Sequence, residues 1–433
     1  MENLEEKVKT NSFSKFTFFL GKITSTYLLA GSLAFSIGGF GCESTDIIGI
    51  NDIVKISEVE EVKDKNNSLC WDYIFDGERE DKAYSIQQTT DGGYIVAGTT
   101  ELKYDSKFVT DVFISKLDLN GDLEWNKTFG GNDNDDAKSI QQTTDGGYVV
   151  AGCTRSKGAG ADAWILKLDI NGDLEWDKTF GGNAYDGANS IQQTTDGGYV
   201  MVGGHFLSGY SHPDGWLLKL DINGDLEWDK NFSGSGWDHL DSIQQTTDGG
   251  YIVAGKSGAN AWILKLDLNG DLEWDETFGK YIAHDNAYSV QQTTDGGYVV
   301  AGKIKSHTKL DTSDTWIFKI NQKGDLKWQN IFGGIYNDFA NSIQQTDDGG
   351  YIVASTKDAF STIGSGKIEI LKLQEDGDFD WKKTFGNKNL GNAYSVQQTT
   401  DGGYIVAGSI ESKNTGTDAW VLKLDQNGDL YCK

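Results

Sequence analysis

The sequence predicts an all-β protein, a closed seven-bladed β-propeller built from four-stranded antiparallel blades. The first reason is a ten-residue phrase, Ser-Ile/Val-Gln-Gln-Thr-Thr/Asp-Asp-Gly-Gly-Tyr, which occurs seven times along the chain. Its tyrosines recur about every 50 residues, at Tyr94, Tyr148, Tyr199, Tyr251, Tyr298, Tyr351 and Tyr404. The second reason is composition: 55 Gly, 13 Trp and one Pro in 433 residues suit many short strands joined by glycine turns.

Four strands are predicted within the first unit, in the order A, B, C and D. They lie at residues 83–89, 94–97, 111–117 and 123–129. Asp-Gly and Asn-Gly pairs between the runs supply the positive φ angles that tight hairpins need. The runs are too short, and too rich in β-branched and aromatic residues, for helices. On strand A, the recurrent Gln87-Gln88 pair is expected to hydrogen-bond adjacent blades, although it could also line a polar channel.

The two ends of the repeat region predict how the ring closes. Strand D carries one tryptophan in six units, at Trp125, Trp176, Trp228, Trp274, Trp328 and Trp381. The seventh, Trp71, precedes the first strand A, whereas the last unit reaches Lys433 without a strand D. We therefore expect the N-terminal segment to complete the last blade and remove an exposed edge. Cys70 and Cys432 would then meet at this seam, where an oxidising compartment favours a disulfide.

The N-terminal segment predicts export. Lysines precede an apolar run at residues 23–40, and Cys42 follows it directly, which resembles a bacterial lipoprotein signal with Cys42 as the lipidated residue. The predicted divisions are a signal peptide at 1–41, a flexible acidic tether at 42–68 and the propeller at 69–433. We expect a chain that is lipid-anchored in the cell envelope or secreted. The alternative is an uncleaved membrane anchor.

Charge restricts the partners. The formal net charge of -27 disfavours nucleic acid and anionic lipid, so we expect membrane contact only through the lipid anchor. Such a surface would attract cations or basic partners, or it would serve solubility alone. We expect a monomer.

Strand connectivity assigns the loops to two faces. The A–B and C–D turns share one face and barely vary, whereas the B–C and D–A connections share the other and differ between blades. Function is usually carried by such variable loops, so this variable face is the candidate binding surface, with unconstrained drift as the alternative. Its candidate residues are His205, Phe206, Tyr210, His212 and Trp237.

A recurrent aspartate belongs to the same face. It precedes the strand A serine by four residues in six blades, at Asp81, Asp135, Asp186, Asp238, Asp285 and Asp338. These carboxylates could bind Ca²⁺ or a basic partner. Alternatively, each accepts hydrogen bonds from loop amides, because a repeated position indicates a repeated structural role. Otherwise no cofactor is expected, and metal content is left open.

The repeat also resembles known families. Residues 141–152 (Gln-Gln-Thr-Thr-Asp-Gly-Gly-Tyr-Val-Val-Ala-Gly), followed by 164–169 (Trp-Ile-Leu-Lys-Leu-Asp), resemble the propeller repeats of secreted bacterial and archaeal surface proteins and lipoproteins. Residues 168–176 are distantly similar to quinoprotein propellers, which would imply a redox cofactor over the channel. The resemblance covers residues 69–433 and specifies architecture rather than ligand.

The sequence contains no recognisable catalytic motif. No Ser-His-Asp grouping, phosphate loop or zinc-type cysteine spacing is present, and Arg79 and Arg155, the only arginines, are too few for a sialidase-like site. We therefore expect a non-enzymatic surface lipoprotein that binds a protein or glycan. The alternatives are a carbohydrate-active or redox enzyme at the channel mouth, and a structural envelope component without a dedicated ligand.

Overall fold

A computed structural model describes most of the repeat region. The described residues are 62–63, 69–75, 79–104, 107–158, 160–206, 212–234, 236–279, 284–306, 312–359, 366–386, 391–412 and 416–432. The chain divides into two compact units, residues 1–53 and 54–433, and all described residues belong to the second. The predicted signal peptide, Cys42, Tyr210 and the side chain of Cys70 lie outside the described part. Within that part, no helix is long and apolar enough to cross a membrane.

Every regular element of the described residues is a β-strand. A short hairpin of β1 (Val62–Lys63) and β2 (Leu69–Cys70) forms where the sequence predicts the end of the tether. β3 (Asp72–Phe75) follows, and then six complete blades and the first three strands of a seventh.

Blade 1 comprises β4 (Asp81–Gln88), β5 (Tyr94–Tyr104), β6 (Lys107–Leu117) and β7 (Leu123–Phe129). Blade 2 comprises β8 (Asp135–Gln142), β9 (Tyr148–Thr154), β10 (Asp162–Leu168) and β11 (Leu174–Phe180). Blade 3 comprises β12 (Gly187–Gln193), β13 (Tyr199–His205), β14 (Asp214–Leu220) and β15 (Leu226–Phe232). Blades 4 and 5 comprise β16 (His239–Gln245), β17 (Tyr251–Ser257), β18 (Asn260–Leu266) and β19 (Leu272–Phe278); and β20 (Asn286–Gln292), β21 (Tyr298–Lys305), β22 (Ser313–Ile320) and β23 (Leu326–Phe332). Blade 6 comprises β24 (Asn337–Gln345), β25 (Tyr351–Ala359), β26 (Lys367–Leu373) and β27 (Phe379–Phe385), and blade 7 begins with β28 (Gly391–Gln398), β29 (Tyr404–Glu411) and β30 (Thr417–Leu424).

Seven four-stranded antiparallel sheets confirm the predicted propeller. In each blade the strands lie in the order A, B, C, D from the inner to the outer edge. The prediction for strand B of blade 1 was too short, because β5 and β6 remain paired out to Tyr104 and Lys107. A long hairpin therefore extends from this blade on the variable face.

The N-terminal strand closes the ring as predicted. β3 pairs antiparallel with β30, with Asp72 opposite Leu422 and Phe75 opposite Ala419, so it is strand D of blade 7. Trp71 lies 5.6 Å from Tyr94, ring centre to ring centre, as Trp125 lies 5.8 Å from Tyr148 at the next interface. The seam between the chain ends thus has the same aromatic packing as an internal blade boundary.

The hydrophobic core lies between successive blades. Strands B and C are buried on both faces, so Ile95 of blade 1 packs in one cluster with Trp164 and Leu166 of blade 2. Strand D of blade 2 has only exposed and half-buried residues, as expected at an outer edge. Each blade depends on its neighbours for burial, which explains why the repeat must close into a ring.

The glutamine pairs join all seven blades at the channel. The first glutamine of each pair accepts the backbone N–H of the second glutamine in the next blade at 2.5–2.7 Å. Across the seam, Gln88 N donates to Gln397 Oε1 at 2.6 Å. The expectation of inter-blade hydrogen bonding is therefore confirmed. The first glutamine of each pair and the isoleucine or valine before it also line a central cavity of about 250 Å³.

A buried lysine on each strand C pairs with the aspartate of the A–B turn. Lys167, only 3% exposed, places Nζ 2.9 Å from Asp145 and 2.8 Å from Glu175. The other carboxylate oxygen of Asp145, Oδ1, accepts hydrogen bonds from Thr143 and from Gly147 N. The Asp-Gly-Gly turn is therefore repeated for structural reasons, since it supplies the counter-ion of a buried cation.

Candidate functional site

The recurrent aspartates lie beneath the variable face. All six are at most 3% exposed, so they do not form an open ring of carboxylates on the surface. Asp186 accepts hydrogen bonds from Gly182 N and Phe206 N at 2.8 Å, and Asp238 accepts one from Gly258 N at 2.8 Å. Loop amides likewise donate to Asp135, Asp285 and Asp338. These carboxylates position the D–A and B–C loops, which is the structural role that the sequence left as an alternative.

The candidate histidines separate into different surroundings. His205 stacks on Trp216 with ring centres 4.5 Å apart and has Nδ1 3.0 Å from Asn231 Oδ1, near the outer strand. His212 packs against Trp237, with ring centres 5.4 Å apart. The described residues contain no group of three or more His, Cys, Asp or Glu that could hold a metal ion.

A cavity of about 230 Å³ opens on the variable face where blades 2, 3 and 4 meet. Its walls are mostly apolar, and its base contains Gly187 and Gly204, which are direct partners in the β12–β13 register. A Cβ at Gly204 would lie 3.8 Å from His239 Cβ, and one at Gly187 would lie 3.6 Å from Tyr185 Cε1. Side chains would therefore fit at both positions and would project into the space that is now empty.

The other blades carry side chains at both of these register positions. Their pairs are Lys82 with Thr99, Asp136 with Cys153, His239 with Lys256, Asn286 with Lys303, Phe339 with Thr356, and Asn392 with Ser409. Blade 3 alone has glycine at both positions. The cavity thus exists because the repeat departs from its own pattern at one place.

Aromatic residues form the rim of this cavity, which we call the blade 3 pocket. Tyr185 is 50% exposed and Trp237 53% exposed, and each directly precedes the recurrent aspartate of its blade. Phe206 packs edge-on against Trp237 with ring centres 5.8 Å apart. Asp186 and Asp238 hold the loops that carry these rings, because they bond to backbone groups on either side. Exposed aromatic rings are costly unless they meet a partner.

Polar groups of both signs complete the lining. Burial raises the pKa of Asp136, and the ammonium of Lys138, 3.7 Å from Oδ2, opposes that shift. The Asp241 carboxylate, 3.2 Å from Nε2, raises the pKa of His239 against the effect of burial. Asn189 also lines the pocket and donates through Nδ2 to Leu240 O at 2.8 Å.

Cys153 and Tyr185 stay protonated at neutral pH. Burial raises the pKa of the Cys153 thiol to about 12 and that of the Tyr185 hydroxyl to about 12. A nucleophilic cysteine needs the opposite shift, since the thiolate is the reactive form. Cys153 is a free, buried cysteine.

Sequence reasoning found part of this pocket. The structure brings Phe206 and Trp237 together, with His212 beside them, but it places His205 on the outer side of blade 3. Tyr185, Asp136 and Lys138 were missed. Alignment of the seven units would have signalled the site, because Gly187 and Gly204 are the paired exceptions and Tyr185 and Trp237 occupy equivalent positions.

The comparisons with known proteins concern the fold. A streptogramin B lyase structure matches 82% of this chain and 97% of its own, with 13% identity and a TM-score of 0.52. The Pan2 WD40 domain of Neurospora crassa (10% identity, 79% of this chain, 96% of that chain) and a protein from Lactobacillus plantarum (12%, 76% and 96%) have TM-scores of 0.48 and 0.49. No family model and no curated protein matches the sequence. At 13% identity the likeness to the lyase structure shows the propeller fold alone.

Proposed function

We propose that this chain is an exported, lipid-anchored β-propeller that binds a protein or glycan of the cell surface without catalysing a reaction. The observation that carries the proposal is the blade 3 pocket. It lies on the variable face, and its opening requires two glycines and two aromatic residues that depart from the repeat at neighbouring positions. Departures that are clustered in space support a binding role for the pocket over random drift.

The chemistry of the pocket supports binding over hydrolysis. Among the described residues, Asp136 is the only carboxylic acid in the lining, whereas glycoside hydrolysis normally uses a pair. The Cys153 thiol is held in its unreactive form by burial. The shared fold with a lyase does not alter this argument, because the likeness is limited to architecture.

The proposed anchor and seam rest on the sequence and on one contact. Trp71 N donates to Tyr431 O at 3.2 Å, so the residues next to Cys70 and Cys432 are hydrogen-bonded to each other. This proximity supports a Cys70–Cys432 disulfide, and an envelope location would supply the oxidising compartment. Intact mass of the protein from its native envelope, measured with and without reductant, tests both the acylated Cys42 and the bridge.

Binding is tested with a variant that fills the pocket without removing any contact. Gly204→Thr introduces the residue found at this position in blades 1 and 6, and Lys303→Thr introduces the same residue in blade 5 as a matched control. The full chain is passed over immobilised native envelope in a surface plasmon resonance measurement. We expect wild type and Lys303→Thr to bind and Gly204→Thr to lose binding with unchanged circular dichroism. Equal binding by all three, or by none, would contradict the proposal.

Asp136 favours a second candidate, a carbohydrate-active enzyme. A carboxyl whose pKa is raised by burial is suited to act as a general acid. Release of reducing ends from native envelope glycans, abolished by Asp136→Asn, would support this candidate. No release in wild type would leave the binding proposal in place.

A further inference from the structure

We propose that the blade 3 pocket binds one neutral sugar ring of a glycan chain, an inference that rests on the proposed function. The inference commits the pocket to a glycan and not to a protein partner. It depends on three properties of the pocket: its size, its exposed aromatic rim and its mixed polar lining.

The size of the pocket suits a single small ring. Its volume of about 230 Å³ is below the range of about 300–1,000 Å³ that drug-sized ligands occupy. A folded protein partner would instead need a broad surface, with a central anchor and a large buried area around it. The pocket is lined by residues of blades 2, 3 and 4, including Gly187 and Gly204, so it admits a single ring but not the broad surface of a folded protein.

The aromatic rim fits the two-sided character of a sugar. A pyranose ring has an apolar face of C–H groups and a polar edge of hydroxyl groups. Trp237 and Tyr185, each about half exposed, present flat apolar surface at the opening. Phe206 supports Trp237 from the side, so the platform is already in place before a ligand arrives.

The polar lining discriminates among ligand charges. Asp136 accepts hydrogen bonds, Lys138 donates them, and the carbonyl of Asn189 is an acceptor. A cation would meet the ammonium of Lys138, and an anion would meet Asp136. A hydroxyl group both donates and accepts, so a neutral polyol satisfies both kinds of partner without bringing a like charge into the pocket.

The overall charge of the chain is consistent with a neutral ligand. A net charge of -27 repels uronic acid and sulfated glycans at long range, whereas it leaves neutral glycans unaffected. Basic ligands would be attracted at long range, but Lys138 at the pocket itself opposes their entry. The net charge of the chain disfavours anionic ligands and Lys138 disfavours cationic ones, so neutral glycans are the ligands that meet no electrostatic barrier.

Isothermal titration of the full chain tests this inference. The probes are oligosaccharides of neutral hexoses and of N-acetylhexosamines, with matched uronic acid and free amino sugar oligomers, each to about 10 mM. We expect a neutral oligomer to bind, Trp237→Ala to weaken it at least about ten-fold, and Trp237→Phe to retain most of the affinity. Asp136→Asn should also weaken binding. His284→Ala, at the position equivalent to Trp237 in blade 5, is the matched control and should leave affinity unchanged.

The outcomes separate this inference from the proposed function. If no neutral oligomer binds while Gly204→Thr still abolishes envelope binding, the pocket binds another class of ligand. The inference of a neutral sugar is then wrong, and a protein becomes the proposed partner. Preference for a charged oligomer, or neutral binding that survives both Trp237→Ala and Gly204→Thr, would also overturn the inference. Absence of envelope binding by the wild-type chain would instead overturn the proposed function.

Discussion

Removing the turn aspartate should lower the free energy of unfolding more in blade 5 than in blade 2, because only in blade 2 does the buried lysine have a second anionic partner. In blade 2, Lys167 contacts both Asp145 and Glu175. In blade 5, Lys319 contacts Asp295 at 2.7 Å, and Lys327 stands where the other blade has glutamate. Asp145→Ala leaves a paired cation, whereas Asp295→Ala leaves Lys319 buried without a carboxylate among the described residues.

The magnitudes follow from the pKa of the aspartates. Burial raises the pKa of Asp145, but hydrogen bonds from Thr143 and Lys167 outweigh it and lower the pKa to about 2. That shift from 3.8 corresponds to about 2.5 kcal/mol, and since the side chain is 57% exposed, solvent screening reduces it to about 1 kcal/mol. For Asp295→Ala we expect about 2–3 kcal/mol, because an unpaired buried ammonium adds its desolvation to the loss.

Urea denaturation of the two variants at neutral pH measures the difference, with the transition followed by circular dichroism and tryptophan fluorescence. The control is Asp295→Ala combined with Lys319→Met, which removes the unpaired charge and should recover most of the lost stability. Equal losses for Asp145→Ala and Asp295→Ala, or no recovery in the double variant, would refute the reasoning. A change in the slope of the unfolding free energy against urea concentration would indicate loss of two-state behaviour. The unfolding of individual blades would then have to be followed separately.

Three further predictions concern pH, turn geometry and the seam. Burial raises the pKa of Asp111 and of Asp338 to about 6, so the free energy of unfolding should rise as pH falls from 7 towards 4. It should then decline between about pH 4 and pH 2, because unfolding lets turn aspartates such as Asp145, whose folded-state pKa is lowered to about 2, take up protons at their ordinary pKa. Urea midpoints across pH 2–8 check both limbs. Gly172→Ala should destabilise the fold by more than Gly146→Ala, as judged by melting temperature, because both have positive φ but only a Cβ at Gly172 meets a tryptophan ring at 2.7 Å. Reduction of the proposed seam disulfide should lower the melting temperature, since a crosslink over so long a loop contributes up to about 5 kcal/mol; an unchanged melting curve in reductant would contradict the bridge.

The sequence alone determined the architecture. Strand number, blade number and the closing role of the segment around Trp71 all follow from a pattern that repeats about every 50 residues, and turn residues mark where the strands end. The export signal and the lipid anchor are likewise predictions of local sequence, and they await the mass measurement. Local rules suffice for the six complete blades because their hairpin turns and strand pairing involve residues that are close along the chain, whereas the pairing of β3 with β30 follows from the repeat pattern.

Only the tertiary structure decided where the candidate site lies. The recurrent aspartates, which the sequence placed on the binding face, are buried beneath it, because their loop amides fold over them. Asp136, Gly204 and Trp237 come from three different blades, and lateral packing of those blades brings them to one pocket. The periodicity of the sequence predicts the strands and turns that all blades share. The pocket instead depends on residues of blades 2, 3 and 4 that differ from the repeat. Its position therefore depends on contacts between units, which no single unit encodes.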